Sequence, residues 1–185
     1  MATDANTIKN TQAILDSLLK QVNLEDVTTE SSGFDALPDG YYLTEVEKAE
    51  IKTSKSSGQP MAALQFKVCE DGFDIDIDSG GTTHITQINK TKNRKIFLYW
   101  VLKDESSVKR FVSDMLKFEG ETAGEPLLPK EAFTTSETLE DALECLIGMR
   151  IYAHVSTSEK DDGTSQTWTN VISWKRAAAL ELPCD

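Results

Sequence analysis

Residues 81–103 read GTTHITQINKTKNRKIFLYWVLK, and the fold turns on how this stretch is placed. It holds no acidic residue, although the whole chain carries a formal net charge of -12. Its cations Lys90, Lys92, Arg94 and Lys95 run straight into Ile96-Phe97-Leu98-Tyr99-Trp100-Val101-Leu102. Side chains alternate across a strand, so Arg94, Ile96, Leu98, Trp100 and Leu102 share one face, while Lys95, Phe97, Tyr99 and Val101 share the other. The first set can fill a core. The second offers a charge and two rings to a ligand, the combination that single-stranded nucleic acid requires for its phosphates and its unstacked bases. The competing reading is a strand buried on both faces behind lysines that only solubilise it. A one-residue bulge would also reverse the faces, placing Phe97 in the core and Trp100 outward.

Before this stretch, Pro38-Asp39-Gly40 is a turn signal and a strand follows it. Tyr42, Thr44 and Val46 alternate, then Ala49 and Ile51 continue on the opposite parity, the mark of a β-bulge that bends the strand. The polar loop Thr53 to Pro60 leads to a second strand, in which Ala62, Leu64, Phe66 and Val68 form an apolar face and Gln65 and Lys67 lie opposite. Phe73 to Asp78 and Thr83 to Ile88 predict a hairpin excursion ahead of the 94–102 strand. After Leu102 the period becomes helical. Val108, Phe111, Val112, Met115 and Leu116 form one stripe, with Ser106 or Ser107 as N-cap, and Leu139, Ala142, Leu143, Leu146 and Ile147 form another, capped by Ser136. Strands at 150–155 and 168–174 follow, with Asp162-Gly163 between them, and residues 176–185 read as a frayed tail. At the other end, residues 7–22 form an amphipathic helix and 24–33 a linker. The expected organisation is an N-terminal helix and linker over 1–32, a domain over 33–175, and a tail over 176–185. The domain is mainly β with helices, an α+β class. Three strands with a bent first one, then helices, then two strands, is the order of the OB-fold, a five-stranded partly open barrel. An open α+β sandwich has the same strand count.

The chain has 185 residues, enough for one well-buried core. Cys69, Cys145 and Cys184 show no ligand or disulfide spacing, which fits reduced thiols in a cytoplasmic setting. No apolar run reaches the roughly 18 residues of a membrane span, and the polar start does not resemble a signal peptide. Acidity opposes nucleic-acid binding in general, because affinity comes largely from phosphate neutralisation. The cations are nevertheless segregated into the first half, and a local basic path suffices to guide a strand.

Gly33-Phe34, Pro38-Asp39-Gly40-Tyr41-Tyr42, Ala49-Glu50, Ser57-Gly58, Arg94 to Leu102 and Leu146-Ile147-Gly148-Met149-Arg150 together resemble a family of bacteriophage single-stranded-DNA-binding proteins with an OB-fold. The resemblance spans roughly residues 33–175. It implies largely sequence-independent binding of single strands exposed in phage DNA replication or recombination, without catalysis, in the host cytoplasm.

On the OB-fold order, the candidate nucleic-acid contacts gather from several elements. Lys95, Phe97 and Tyr99 come from the third strand and Lys67 from the second. Lys52 and Lys55 flank the first loop, and Lys90, Lys92 and Arg94 precede the third strand. Arg150 and Tyr152 belong to the fourth strand, where Tyr152 reads equally as a half-buried sheet residue. Trp168 sits at the mouth of the last loop, with Trp174 as a core anchor. Asp74, Asp76 and Asp78 imitate the start of a calcium loop, but Ser79 stands where glycine is needed and Ile85 where glutamate is needed. An acidic edge strand that discourages pairing fits them better. Neither His84 nor His154 lies in a metal or triad motif, and no phosphate-cradling motif is present, so no metal, cofactor or enzymatic activity is expected. Partners are expected to be single-stranded DNA and replication or recombination proteins, with no membrane and a possible homo-oligomer. The alternative function is an acidic protein-interaction module of such a complex, docking through its exterior and its N-terminal helix.

Overall fold

The computed structural model describes residues 36–120, 124–161 and 163–183. The helix expected at 7–22 and the linker after it lie outside the described residues. The domain is mainly β, an antiparallel open sheet with three α-helices. Strands β1 (Gly40–Thr53), β2 (Pro60–Val68), β3 (Gly72–Ile77), β4 (Thr83–Ile88) and β5 (Lys95–Val101) come first. Helix α1 (Glu105–Met115), a 3-10 turn (Lys130–Phe133) and α2 (Ser136–Cys145) follow, then β6 (Arg150–Glu159), β7 (Ser165–Ile172) and α3 (Trp174–Ala179).

The hydrogen-bonded path runs β4-β3-β1-β2-β5, with β6 joined to β1 and β7 to β6. β1 serves β6 and β2 along its length, and meets β3 at Tyr41 and Phe73, because it is long and bent. Its first half, Gly40 to Glu45, pairs with β6, and its second half, Thr44 to Thr53, pairs with β2. The bend lies where the parity switch predicts it: Val46 faces Phe66 and Lys48 faces Gln65, so Glu47 is the extra residue of a bulge. On the inner faces Tyr42, Val46, Leu64, Phe66, Ile96, Leu98, Trp100, Ile151 and Ala153 are buried with Phe111 and Met115 of α1. The alternating pattern of β5 therefore resolves as Ile96, Leu98 and Trp100 inward, with no reversing bulge.

Strands β5 and β7 are not paired with each other among the described residues, and α1 links them. The indole N–H of Trp100 donates to the Asp114 carboxylate at 2.8 Å, deep in the core. Lys117 donates to the same carboxylate at 2.6 Å and to the Val171 carbonyl of β7 at 2.9 Å. A relay of one indole, one carboxylate and one ammonium thus holds β5, α1 and β7 in a fixed relation.

Four expectations change. Asp104, not Ser106 or Ser107, caps α1, and Ser107 returns the bond as the third residue of a capping box. Thr135, not Ser136, caps α2 with Thr138 in the same reciprocal role. β3, with its aspartates, is not an edge strand: it lies between β4 and β1. The tail is not frayed from 176, because Ser173 caps α3 and Ala177, Leu180 and Leu182 are buried against Leu43 and Tyr152. That last stretch was hidden by its alanines, which carry little periodic signal.

The relay predicts that Asp114→Ala, which strips Trp100 and Lys117 of a shared acceptor, destabilises the fold by about 2–4 kcal/mol. Trp100→Phe, which leaves the Lys117 pair in place, costs about 1–3 kcal/mol. Urea unfolding midpoints measure both, and a loss from Asp114→Ala no larger than that from Trp100→Phe would remove the relay from this role.

Candidate nucleic-acid interface

With the inner positions fixed, the outer positions follow from register. Lys95 of β5 faces Lys67 of β2, Lys67 faces Glu45 of β1, and Glu45 faces Arg150 of β6. This row crosses four strands and unites three of the cations expected at a site. The next rows hold Phe97 beside Gln65, then Tyr99 beside Ala63. Past the bulge, Lys48, Glu50 and Lys52 of β1 share this face, and with Gln65, Phe97 and Tyr99 they line an open groove of about 220 Å³. That is smaller than the roughly 300–1,000 Å³ of enclosed small-molecule sites, and its shape suits an extended ligand lying across it.

Phe97 is 52 % exposed and Tyr99 54 % exposed. The Lys52 ammonium stands 5.2 Å from the centre of the Tyr99 ring. Two rings and a cation therefore front the groove, as the alternation predicts. Sequence reasoning missed the carboxylates among them. Glu47, the bulge residue, is ion-paired with Lys95 and accepts from Gln65 Nε2 at 3.0 Å. Lys95 and Gln65 together hold the Glu47 carboxyl below the usual range. Glu50 lies 2.7 Å from Lys48 and 3.3 Å from Lys52, and these partners, Lys48 first, hold its carboxyl low as well. Arg150 lies 3.8 Å from Glu45. Cations outnumber carboxylates on this face, yet most are already paired. The parity switch at residue 47 is the signal that would have placed Glu47 there.

The remaining candidates separate. Lys55 is exposed in the turn after β1, and Gly58 makes that turn with a positive φ of 69°. Lys90 and Lys92 are exposed in the turn before β5, where the Asp71 carboxylate accepts the Thr91 and Lys92 N–H groups at 2.9 and 3.1 Å. Arg94 is half-buried on the core side, where its charge opposes the burial that pushes the Tyr42 phenol up to about 12. It does not stand with Phe97 and Tyr99. Tyr152 lies on the outer face but is fully covered: Trp174 meets it edge-on at 5.8 Å and its hydroxyl bonds the Pro183 carbonyl at 2.5 Å. As a stacking platform Tyr152 is therefore withdrawn, because the segment from α3 to Pro183 occupies the surface a base would need. Beyond it, Tyr41 stacks on His154 at 4.3 Å, and burial lowers the His154 imidazole. Trp168 is 45 % exposed and donates its indole N–H to Ser158 at 3.1 Å. It faces Ser156, six residues along β6 from Arg150, or roughly 20 Å along the strand. The structure therefore gathers Lys52, Lys67, Lys95, Phe97, Tyr99 and Arg150, and leaves Trp168 as a separate outpost.

Asp78 is occupied by the Gly80 and Thr82 N–H groups at 2.9 Å each, and among the described residues no cluster of His, Cys, Asp or Glu is arranged to hold a metal. None of the described helices is long and apolar enough to cross a membrane.

Residues 24–125, more than half of the chain, match the model of a family described as a protein of unknown function, DUF669. The chain belongs to that family. No curated protein matches it. The DUF669 match takes in β1 through β5 and α1, and so the whole Phe97–Tyr99 groove, whereas Arg150, Tyr152 and Trp168 lie beyond it.

Two outcomes follow from this geometry. Tyr152→Phe removes the bond to Pro183 and lowers stability by about 1 kcal/mol without altering ligand affinity, which paired denaturation and binding curves will separate. Glu47→Gln frees Lys95 and, if the outer face binds a polyanion, tightens that binding and steepens its logarithmic salt dependence by about 0.7, the share of one single-strand phosphate contact.

Proposed function

We propose that this chain binds single-stranded DNA, largely without sequence preference, across the outer faces of β5, β2 and the second half of β1. The observation that carries the proposal is the exposed pair Phe97 and Tyr99, two residues apart on one strand, with Lys52 over one ring and Lys95 and Lys67 beside the other. Rings at that spacing suit unstacked bases, each stacked base being worth about 1–3 kcal/mol, and the flanking lysines suit phosphates. We read the strand order as an OB-fold: a bent, bulged β1 shared between β2 and β6, a β1-β2-β5 meander, helices, and a β6-β7 hairpin, with β3 and β4 as an inserted hairpin. The resemblance to bacteriophage single-stranded-DNA-binding proteins agrees with this assignment. On that basis the chain protects or organises single strands during phage DNA replication or recombination in the host cytoplasm, and performs no catalysis. Lys55, at the tip of the first turn, and Trp168 would join the contact only for longer strands.

Pairing of Lys95 with Glu47 and of Lys48 and Lys52 with Glu50 favours a second reading, a protein-interaction module with little affinity for DNA. The two readings part in a titration of oligonucleotides against tryptophan fluorescence at two salt concentrations. Single-strand binding that weakens with salt and exceeds duplex binding is expected. Tyr99→Ala should lower affinity about ten-fold with the fold intact, whereas Ala at the buried Trp100 should act through stability. Equal affinity for duplex would overturn the single-strand reading, and no binding of DNA by the wild type would select the interaction module instead.

A further inference from the structure

At the opposite end of the hydrogen-bonded path from the groove, the sheet stops at β4, which pairs with β3 on one side and with no strand on the other among the described residues. Exposed edges are ordinarily guarded by charge, proline, a bulge or a covering segment. β4 reads Thr83-His84-Ile85-Thr86-Gln87-Ile88 and, among the described residues, has none of these guards except the His84 ring, which lies 3.3 Å from Asp78. The aspartates that would blunt an edge sit one strand further in, on β3. The hairpin is also held firmly at its root, where Thr91 Oγ1 accepts the Gly72 N–H at 2.9 Å and a side chain on Gly72 would strike the Tyr42 ring.

Register determines what this edge offers. The Asp78 N–H donates to the Thr82 carbonyl at 3.1 Å, and bonded pairs recur at every second residue of an antiparallel ladder. The N–H and C=O groups of Thr83, Ile85 and Gln87 are therefore the ones that point away from β3. The side chains of these residues lie on one face with their β3 partners Ile77, Ile75 and Phe73. On that face Ile77 is 58 % exposed and Ile85 40 %.

We infer that β4 is a self-association edge, pairing antiparallel with β4 of a second copy about a two-fold axis through Ile85. In that register Thr83 meets Gln87 of the other copy and Ile85 meets its own counterpart, so every outward backbone group finds an outward partner. The isoleucine stripes of the two hairpins then join into one apolar surface. Such an interface is isologous, the form that closes as a dimer. Charge favours a second copy over an unrelated strand, because the axis brings the turn carrying Asp78 in one copy beside the turn carrying Lys90 and Lys92 in the other. The aspartates of the two β3 strands stay three strand spacings apart, roughly 14 Å, which exceeds the screening length of about 8 Å at physiological salt. Since β4 and β5 end the path on opposite sides, pairing through β4 leaves the Phe97–Tyr99 face uncovered, and the inference holds whether or not that face binds DNA.

Sedimentation equilibrium of the full chain, of Ile85→Lys, of Ile85→Glu and of the two variants mixed provides the test, with thermal melts as a check on folding. Dimers are expected from the wild type, monomers from each variant alone, because like charges meet at the axis, and dimers again from the mixture, where lysine meets glutamate. A wild type that stays monomeric up to its solubility limit overturns the inference. So does either variant that remains dimeric alone, or a mixture of folded variants that fails to associate.

Discussion

Everything on the outer face depends on the buried bond between Trp100 and Asp114. A strand with aromatic residues at consecutive positions has two ways to sit on a core, and only one of them gives an indole N–H a partner. A buried indole without an acceptor forfeits a hydrogen bond worth keeping, whereas Phe97 has no polar atom to satisfy. The carboxylate on α1 therefore settles which side of β5 faces inward. It also recruits Lys117, whose second bond reaches β7, so the same contact that orients β5 ties it through one helix to β7, a strand with which it is not paired among the described residues.

Two fates of an outer sheet face appear side by side. Over Leu43 and Tyr152 the chain folds its own C-terminal segment down, closing an apolar satellite core that buries Ala177, Leu180 and Leu182. Over Phe97 and Tyr99 no comparable segment is laid among the described residues. Both halves have aromatic residues, so hydrophobicity does not separate them. The open half differs in being ringed by lysines and glutamates, which keep the groove wetted and its rings accessible. The contrast, drawn among the described residues, is the one on which the proposed binding role of the groove rests.

The alternation of β2 and β5, the bulge in β1 and the stripes of α1 and α2 were legible in the sequence because burial imposes a period on apolar residues and nothing nearby obscured it. The same alternation grouped the rings at 97 and 99 on one face, and the structure, by showing no reversing bulge, settles that this face is the outer one. Tyr152 could not be assigned, since its strand parity is correct and only the distant helix α3, written in alanine and short of periodic signal, covers it. The parity switch marks the bulge at Glu47, but its contact with Lys95, which spans 48 positions of sequence, was hidden. Long-range ion pairing of this kind leaves no local trace. The mistaken place of the acidic strand has a related cause, because composition shows that a strand is acidic but not which neighbour lies beyond it.

The bulge at Glu47 also constrains how this chain can change. Past that residue every side chain of β1 is offset by one position relative to those before it, and Lys48, Glu50 and Lys52 reach the groove only by virtue of that offset. Removing one residue there would turn these three inward and carry Ala49 and Ile51 out to solvent, exchanging the two surfaces of the strand at a stroke. Between the bulge and the turn at Ser54, length can therefore vary in this lineage only by even steps, so that the reading frame of the pleat is kept even where the residues themselves are replaced.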